Sequence, residues 1–228
     1  CQTMFLADSC LASFRMLVKY DLLRHLFPGP VQALAHDKSG ELLTLIERGL
    51  AGTDARVADG RPVTPAFLFA VLLWGEVASL AAKLLAEGTV QSLAWQRAAH
   101  RVMAEQGKRV AIPRRFGYTI EDIWALQPRF AERTRKRVFR LMAHPRFRAA
   151  YDFLLLRGAE SDALRESGAW WTEIQALPPD QISEQLAPRT AAANAAANAG
   201  EKPAGSGRRR RRGGRGRKGA VPKSDSSE

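Results

Sequence analysis

The sequence predicts an all-α protein that ends in a polar, basic tail. Apolar residues recur with the 3.6-residue period of a helix, and no segment shows a convincing period-2 alternation. Of the 228 residues, 46% are hydrophobic, which is enough for one sizeable core with extensions. Cys1 and Cys10 are too few for a disulfide framework and match no metal-ligand spacing, so a reducing cytoplasm is the expected location.

Helix signals divide the first part of the chain. Met4 to Leu17 is amphipathic, and Asp21 is expected to cap a short helix that Pro28-Gly29-Pro30 ends. Val31 to Leu50 predicts another helix, and the segment AGTDARVADGRP is expected to be a polar loop after it. Because the chain begins with Cys and not Met, close to a helical pattern, we expect it to be a fragment whose upstream part is missing.

The segment after the polar loop predicts the most buried helix. Thr64-Pro65 is a start signal, with an N-cap hydroxyl followed by proline at the first helical position. The helix is expected to reach about Glu87 and is apolar almost all round through AFLFAVLLW, which predicts a place inside a bundle. Its apolar run is shorter than the roughly 20 residues that span a bilayer. The N-terminus also lacks a signal-peptide pattern, so no membrane partner is expected.

The second half of the chain continues with helices. Thr119-x-x-Asp122 resembles a capping box, and Pro128 is expected to end or kink the helix that it starts. Arg135 to Met142 predicts a short basic helix. A further helix, Ser161 to Leu177, carries Trp170-Trp171. Adjacent helical residues point about 100° apart, so one of these rings should be buried and the other partly exposed.

Positive charge is concentrated in two zones of the chain. Residues 101–150 contain 13 Lys/Arg against 4 Asp/Glu, and residues 185–228 contain 11 against 3. The formal net charge of the whole chain is +12. The first zone also carries regularly placed Phe, Trp, Ile and Leu, so it is expected to fold. A folded segment with so much charge of one sign predicts a polyanionic partner, and RNA is the partner that it favours.

Basic side chains of the first zone are the predicted RNA-binding residues of the folded body. Four of them, at spacings of three and four residues, are expected to share one helical face: Arg133, Lys136, Arg137 and Arg140. Repulsion between like charges at these spacings costs about 0.2–0.5 kcal/mol per pair, which phosphate groups would offset. A solvated face with scattered salt bridges is the alternative. The complete predicted set is Arg114, Arg115, Arg133, Arg135, Lys136, Arg137, Arg140, Arg146 and Arg148.

The second zone predicts a disordered arm. From about Pro188 onward the chain has low complexity and no large apolar residue except Val221, so it cannot bury enough surface to fold. Such an arm would bind single-stranded RNA through counterion release without reading its sequence. A membrane-surface arm or plain solubility are the alternatives. The predicted RNA-binding residues of the arm are Arg208, Arg209, Arg210, Arg211, Arg212, Arg215, Arg217 and Lys218.

Catalytic signals are missing from the sequence. There is no Gly-rich phosphate loop, no Cys/His cluster and no Asp-x-Asp pair of the kind that holds the metal ions of phosphoryl transfer. The four histidines have no spacing that suggests a joint site. We therefore predict no catalytic, cofactor-binding or metal-binding residue in this chain.

Several segments, taken in order, resemble the C-terminal half of the bacterial poly(A) polymerase I family. They are FLADSCLASFRMLVKYDLLRHLFP, RPVTPAFLFAVLLW, IPRRF, IWALQPRF, KRVFRLMAHPRFRAAYDFLLLR and WWTEIQ, and the resemblance covers about Met4 to Pro179. The Arg-rich tail is also typical of that family. A looser relationship to the tRNA CCA-adding enzymes is expected, and the HPRFRAAYDFLLLR segment with the basic tail favours the poly(A) branch.

The resemblance implies an enzyme that adds adenylate from ATP to RNA 3′ ends with Mg²⁺, and so promotes RNA turnover. Its nucleotidyltransferase head would precede this chain. The implied divisions are a helical segment after the head (1–60), a helical RNA-binding body (61–180) and a disordered Arg/Gly-rich tail (181–228). Single-stranded RNA 3′ ends are the expected partner, with the RNA-decay machinery as a possible protein partner. A fragment of a CCA-adding enzyme and a stand-alone RNA-binding protein remain alternatives.

Overall fold

A computed structural model describes residues 9–187 and confirms the all-α class, because no strand occurs in that range. The helices, in chain order, are α1 (Cys10–Lys19), α2 (Leu23–Leu26), α3 (Pro28–His36), α4 (Glu41–Ala58), α5 (Pro65–Leu72), α6 (Trp74–Ala86), α7 (Gln91–Gly107), α8 (Arg114–Leu126), a 3-10 segment (Gln127–Ala131), α9 (Arg135–Met142), α10 (Phe147–Arg157), α11 (Asp162–Ile174) and α12 (Pro179–Gln185).

Two turns in the first part differ from the sequence prediction. The short helix α2 ends at Leu26, before Pro28, as predicted, and Pro28 then starts α3 because its fixed φ suits the first turn of a helix. Asp21 does not cap α2 as predicted, because Leu22 is the N-cap and Asp21 adopts a positive φ of 57°. The helix expected from Val31 to Leu50 is interrupted between α3 and α4. There the Asp37 carboxylate accepts the backbone N–H of Leu43 at 3.2 Å, and Gly40 adopts a positive φ of 73°. This turn separates α3 from α4.

The polar segment after Leu50 was wrongly predicted as a loop, since α4 continues to Ala58. Its polar residues have partners inside the fold. The Thr53 hydroxyl donates to the Gly49 carbonyl at 2.9 Å. The Asp54 carboxylate accepts the backbone N–H groups of Cys10 and Leu11 at 2.6 and 3.1 Å, and so caps the start of α1. Burial, followed by the nearby Asp54 carboxylate, raises the pKa of the Cys10 thiol to about 12.

The apolar helix predicted from Thr64-Pro65 begins as expected but is broken in two. Helices α5 and α6 are bent by 55° relative to each other. The bend brings Gly75 so close to α4 that a Cβ there would lie 2.4 Å from the Cδ2 of Leu42. No single helix in the described range is long and apolar enough to cross a membrane, whereas α5 and α6 taken together meet that test by length and composition alone.

Helix α8 begins five residues earlier than Thr119, the predicted start. Pro113, with extended backbone, is its N-cap, and the Thr119 hydroxyl donates to the Arg115 carbonyl at 3.3 Å within the helix. The predicted end near Pro128 is confirmed, because α8 gives way there to the 3-10 segment. The indole N–H of Trp124 donates to the Ala70 carbonyl at 3.0 Å and joins α8 to α5.

Buried side chains form two hydrophobic clusters. The first cluster contains core residues of α1 and α2 and of α4 to α8, together with Phe153. The second is built by the end of α8, the 3-10 segment and α9 to α12. Helix α10 joins them, because Phe153 packs edge-to-face on Trp74 while Tyr151 and Leu154 lie in the second cluster. Both clusters therefore support α10 and the elements next to it.

The predicted divisions of the chain can be compared with this packing only in part. All described residues lie in one compact unit that ends at Ala187. Leu50 and Ala66, on either side of the predicted boundary at residue 60, share the first cluster. Helix α12 crosses the predicted boundary at residue 181 and buries Ile182, which the sequence did not predict. The predicted basic arm from Arg208 to Lys218 lies outside the described residues.

Candidate nucleic-acid interface

Helix α9 presents three of the predicted basic residues on one exposed face. Its bounds, Arg135–Met142, are those predicted from the sequence. Val138 and Leu141 are buried in the second cluster. Lys136, Arg137 and Arg140, at spacings of three and four residues, lie on the opposite, exposed side of the helix. The sequence prediction of a basic face is confirmed for these three residues.

Arg133 does not belong to that helical face, contrary to the prediction. It precedes Thr134, the N-cap of α9, so helical spacing does not decide where its side chain points. Its guanidinium instead lies over the ring of Trp170 in α11, with Cζ 4.7 Å from the ring centroid. Arg133 is therefore held beside α9 by a tertiary contact.

Carboxylates neutralise two residues of the predicted set. Arg137 pairs with Glu132 at 2.9 Å, and Arg148 pairs with Asp152 at 3.1 Å. Between residues 9 and 187, the other predicted basic residues form no ion pair within 4 Å: Arg114, Arg115, Arg133, Arg135, Lys136, Arg140 and Arg146. Two ion pairs among nine exposed residues fit the alternative of a solvated face with scattered salt bridges as well as they fit the predicted RNA-binding face.

Three successive helices begin with cations. Arg114 and Arg115 open α8, Arg135 and Lys136 open α9, and Arg148 lies in the first turn of α10. None of these three helices has an acidic residue in its first turn or a side-chain N-cap. Because the N-terminal end of a helix is itself positive, cations there cost stability and anions are attracted. These helix starts are therefore electrostatically suited to phosphate groups.

Arg114 and Arg115 lie at the end of α8 opposite Leu126, which is buried in the second cluster. Arg114 and Leu126 are at opposite ends of α8, about 18 Å apart at a rise of 1.5 Å per residue. The remaining residues from Arg133 to Arg148 lie on elements of the second cluster. The length of α8 therefore separates Arg114 from the residue that joins this helix to the second cluster.

A rigid aromatic core lies beneath the basic face. Trp171 is fully buried, and its indole N–H donates to the Phe130 carbonyl at 2.9 Å. Its ring packs edge-to-face on Phe130 and on Trp170, at 5.2 and 5.0 Å between centroids. The prediction that one ring of the Trp170-Trp171 pair is buried and the other partly exposed is confirmed. This packing fixes α11 against the 3-10 segment that leads into α9.

Two residues near this face were missed by the sequence analysis. Arg129 is exposed in the 3-10 segment and has no ion pair within the described range. Its place in the basic zone was a signal for RNA binding, but the neighbouring Pro128 was used only to predict the end of a helix. Trp170 was noted only as a partly exposed ring. Its contact with Arg133, 37 positions away, has no local sequence signal.

A cavity of about 580 Å³ lies elsewhere, between α3, the start of α4 and α6. Its lining mixes acidic residues, such as Glu76 and Glu160, with basic ones, such as Lys83 and Arg101. Burial, with a smaller contribution from Glu105, raises the pKa of the Glu76 carboxyl. This mixed charge suits an RNA backbone less well than the α9 face does.

The described residues offer no site for the Mg²⁺ that the resemblance implies. No three side chains of His, Cys, Asp or Glu come close enough to hold a metal ion between residues 9 and 187. The residues in this range therefore do not fit that ion.

Known protein families identify the relatives of this chain. The family described as "Polymerase A arginine-rich C-terminus" matches residues 87–217, more than half of the chain. The chain belongs to the poly(A) polymerase family. Poly(A) polymerase I of Escherichia coli O6:H1 is 36% identical over an alignment of 187 residues, and the alignment covers 78% of this chain and 40% of that enzyme.

Other members of the poly(A) polymerase family match over the same share of their length. The poly(A) polymerase I of Salmonella typhi is 35% identical over an alignment of 173 residues, and the alignment covers 74% of this chain and 37% of that enzyme. The poly(A) polymerase I of Haemophilus influenzae is 34% identical over an alignment of 176 residues, and the alignment covers 76% of this chain and 39% of that enzyme. The chain spans about 40% of the length of the curated relatives that it matches. The family resemblance found in the sequence is confirmed.

Proposed function

We propose that this chain is the RNA-binding C-terminal portion of a poly(A) polymerase that adds AMP from ATP to RNA 3′ ends in the cytoplasm. The observation that carries the proposal is the set of cations without carboxylate partners at the starts of α8 and α9, together with Arg146, the N-cap of α10. Phosphate groups of an RNA strand would neutralise them and would also complement the positive helix ends. The chain would hold the RNA, and a nucleotidyltransferase head outside it would perform the transfer with ATP and Mg²⁺.

The α9 face and the basic arm would have different roles in RNA binding. Contacts to phosphate groups position a strand without reading its sequence. The arm from Arg208 to Lys218 would raise the encounter rate with RNA and retain it, and the α9 face would hold the 3′ segment in one place. Protein partners of such a chain would be those that degrade the extended RNA. Family membership supports the poly(A) branch over a CCA-adding enzyme.

Activity is tested in the complete gene product. Given ATP, Mg²⁺ and an RNA with a free 3′ hydroxyl, it should extend the RNA with adenylate alone. Completion of CCA ends from CTP and ATP would support the alternative of a CCA-adding enzyme. Absence of any extension by a folded gene product would favour a non-enzymatic RNA-binding protein.

Binding by the folded body is tested separately from the arm. We define the tail-neutral chain as the 228-residue chain in which the eight basic residues from Arg208 to Lys218 are replaced by glutamine. We expect it to bind single-stranded oligoadenylate with an affinity that falls as salt is raised, because the cations of the body release counterions. Loss of all salt-dependent binding, with the helical circular dichroism unchanged, would contradict a role for the body.

A further inference from the structure

The contact between Arg133 and Trp170 differs from the other cation–π contacts in the described range. Three of those involve residues one to three positions apart, and the fourth, Arg157 over Trp74, is neutralised by Glu160 at 3.0 Å. Arg133 reaches Trp170 from another element and has no carboxylate within salt-bridge distance among residues 9–187. The pair therefore keeps its full positive charge at the surface.

Trp170 provides a fixed platform for this guanidinium. It packs edge-to-face on Trp171, with an interplanar angle of 86°, and Trp171 is held by its hydrogen bond to the Phe130 carbonyl. Trp170 is half-buried, so one part of its ring is anchored and the rest is accessible. Its indole N–H finds no acceptor in the part of the chain that the structure describes.

A guanidinium that lies on an indole ring exposes its second flat face. Nucleobases of single strands stack on aromatic rings and on arginine planes, a contact that a point-like ammonium group does not reproduce. Arg133 is followed directly by Thr134, the N-cap of α9, and then by the cations Arg135 and Lys136. A base on Arg133 would therefore have its own backbone beside the start of α9.

We propose that Arg133 and Trp170 form a nucleobase-stacking site that makes the α9 interface select single-stranded RNA. The base occupies the outer face of the guanidinium, whose inner face lies on the indole. A duplex keeps its bases stacked inside and leaves only its phosphate groups to α9. The proposal rests on the proposed function, since both concern the same interface, and it adds the part of the RNA that is recognised.

The test compares strands that differ only in their bases. The tail-neutral chain is titrated with oligoadenylate, with an abasic ribose-phosphate strand of equal length and with an RNA duplex, at one salt concentration. We expect oligoadenylate to bind about tenfold more tightly than the abasic strand, the size of one stacking contact. In Arg133→Lys, which keeps the charge but loses the plane, this preference should disappear while affinity for the abasic strand is unchanged.

Trp170→Leu is the second variant, because it keeps apolar volume but removes the ring. Its fold is checked by circular dichroism, and Arg133→Lys keeps the proposal testable if that variant does not fold. An unchanged preference for oligoadenylate in Arg133→Lys would overturn the stacking site. Equal affinity of the tail-neutral chain for oligoadenylate and for the abasic strand would also overturn the stacking site. The proposed function would remain intact if that binding still depended on Arg135, Lys136 and Arg140. Binding of neither strand would contradict the proposed function itself.

Discussion

Charge reversal on α9 should lower RNA affinity about hundredfold in the tail-neutral chain, because each substitution removes a cation that attracts a phosphate group and adds a carboxylate that repels it. The three substitutions are Arg135→Glu, Lys136→Glu and Arg140→Glu. They remove exposed cations that form no ion pair in the described part of the chain, so no ion pair is broken. Affinity for oligoadenylate, measured by fluorescence anisotropy near physiological salt, checks the prediction.

Folding stability should hardly change in this variant. Glutamates at positions 135 and 136 would lie in the first turn of α9, where an acidic residue gains about 0.3–1 kcal/mol from the helix dipole. The loss of Arg140 from the last turn opposes that gain by a similar amount. A large fall in RNA affinity without a fall in stability would mean that these cations serve the partner and not the fold.

A matched control separates a local interface from net charge. Lys38, Arg48 and Arg97 are also exposed and form no ion pair among residues 9–187, and they lie on or between helices of the first cluster. Reversing these three charges changes the net charge of the chain by the same amount. We expect a much smaller loss of affinity. Equal losses in the two variants would show that only the total charge matters and would contradict an interface at α9.

Replacing Trp171 with alanine is expected to cost about 3–5 kcal/mol of unfolding free energy, the range of a large aromatic residue removed from a core. Trp171 is fully buried and contacts Phe130, Phe147 and Trp170 through its ring. The substitution also leaves the Phe130 carbonyl without its indole donor. Because whole domains are stable by about 5–15 kcal/mol, such a loss brings the chain close to unfolding. Urea denaturation followed by circular dichroism measures it.

Trp171→Phe is the control for this prediction. Phenylalanine keeps a buried ring but cannot donate to the Phe130 carbonyl, so we expect a smaller cost, about 1–3 kcal/mol for the unpaired acceptor. If alanine at this position cost less than phenylalanine, or less than about 1 kcal/mol, Trp171 would not be the anchor of the second cluster. The arrangement of α11 against the 3-10 segment would then have another cause.

The sequence was sufficient to predict the bounds of those helices whose signals lie within the helix itself. Helix α9 was predicted with its observed bounds, because its apolar residues Val138 and Leu141 alternate clearly with cations. The extent of α4 was missed, because Thr53 and Asp54 look like loop residues until their partners are known. The Asp54 carboxylate contacts α1 more than 40 positions away, and no local rule contains that contact.

In the candidate site, too, local signals were predicted and long-range contacts were missed. Charge density identified the basic residues, and the spacing of Arg148 and Asp152 was a readable signal for the ion pair that forms. The position of Arg133 was predicted wrongly, since the helix begins only at Arg135 and a tertiary contact with Trp170 places its side chain. The distance from Arg114 to the α9 face depends on how α8 is oriented, which composition does not specify.

The proposed contact between unpaired cations of α9 and phosphate groups is tested most directly by the salt dependence of RNA binding. The affinity of the tail-neutral chain for oligoadenylate is measured over a range of salt concentrations, before and after Arg135, Lys136 and Arg140 are replaced by alanine. A single-stranded contact contributes about 0.7 to the slope of log affinity against log salt, so the slope should become shallower by about 2. A slope that stays the same, in a variant with unchanged helical content, would contradict the proposed contact.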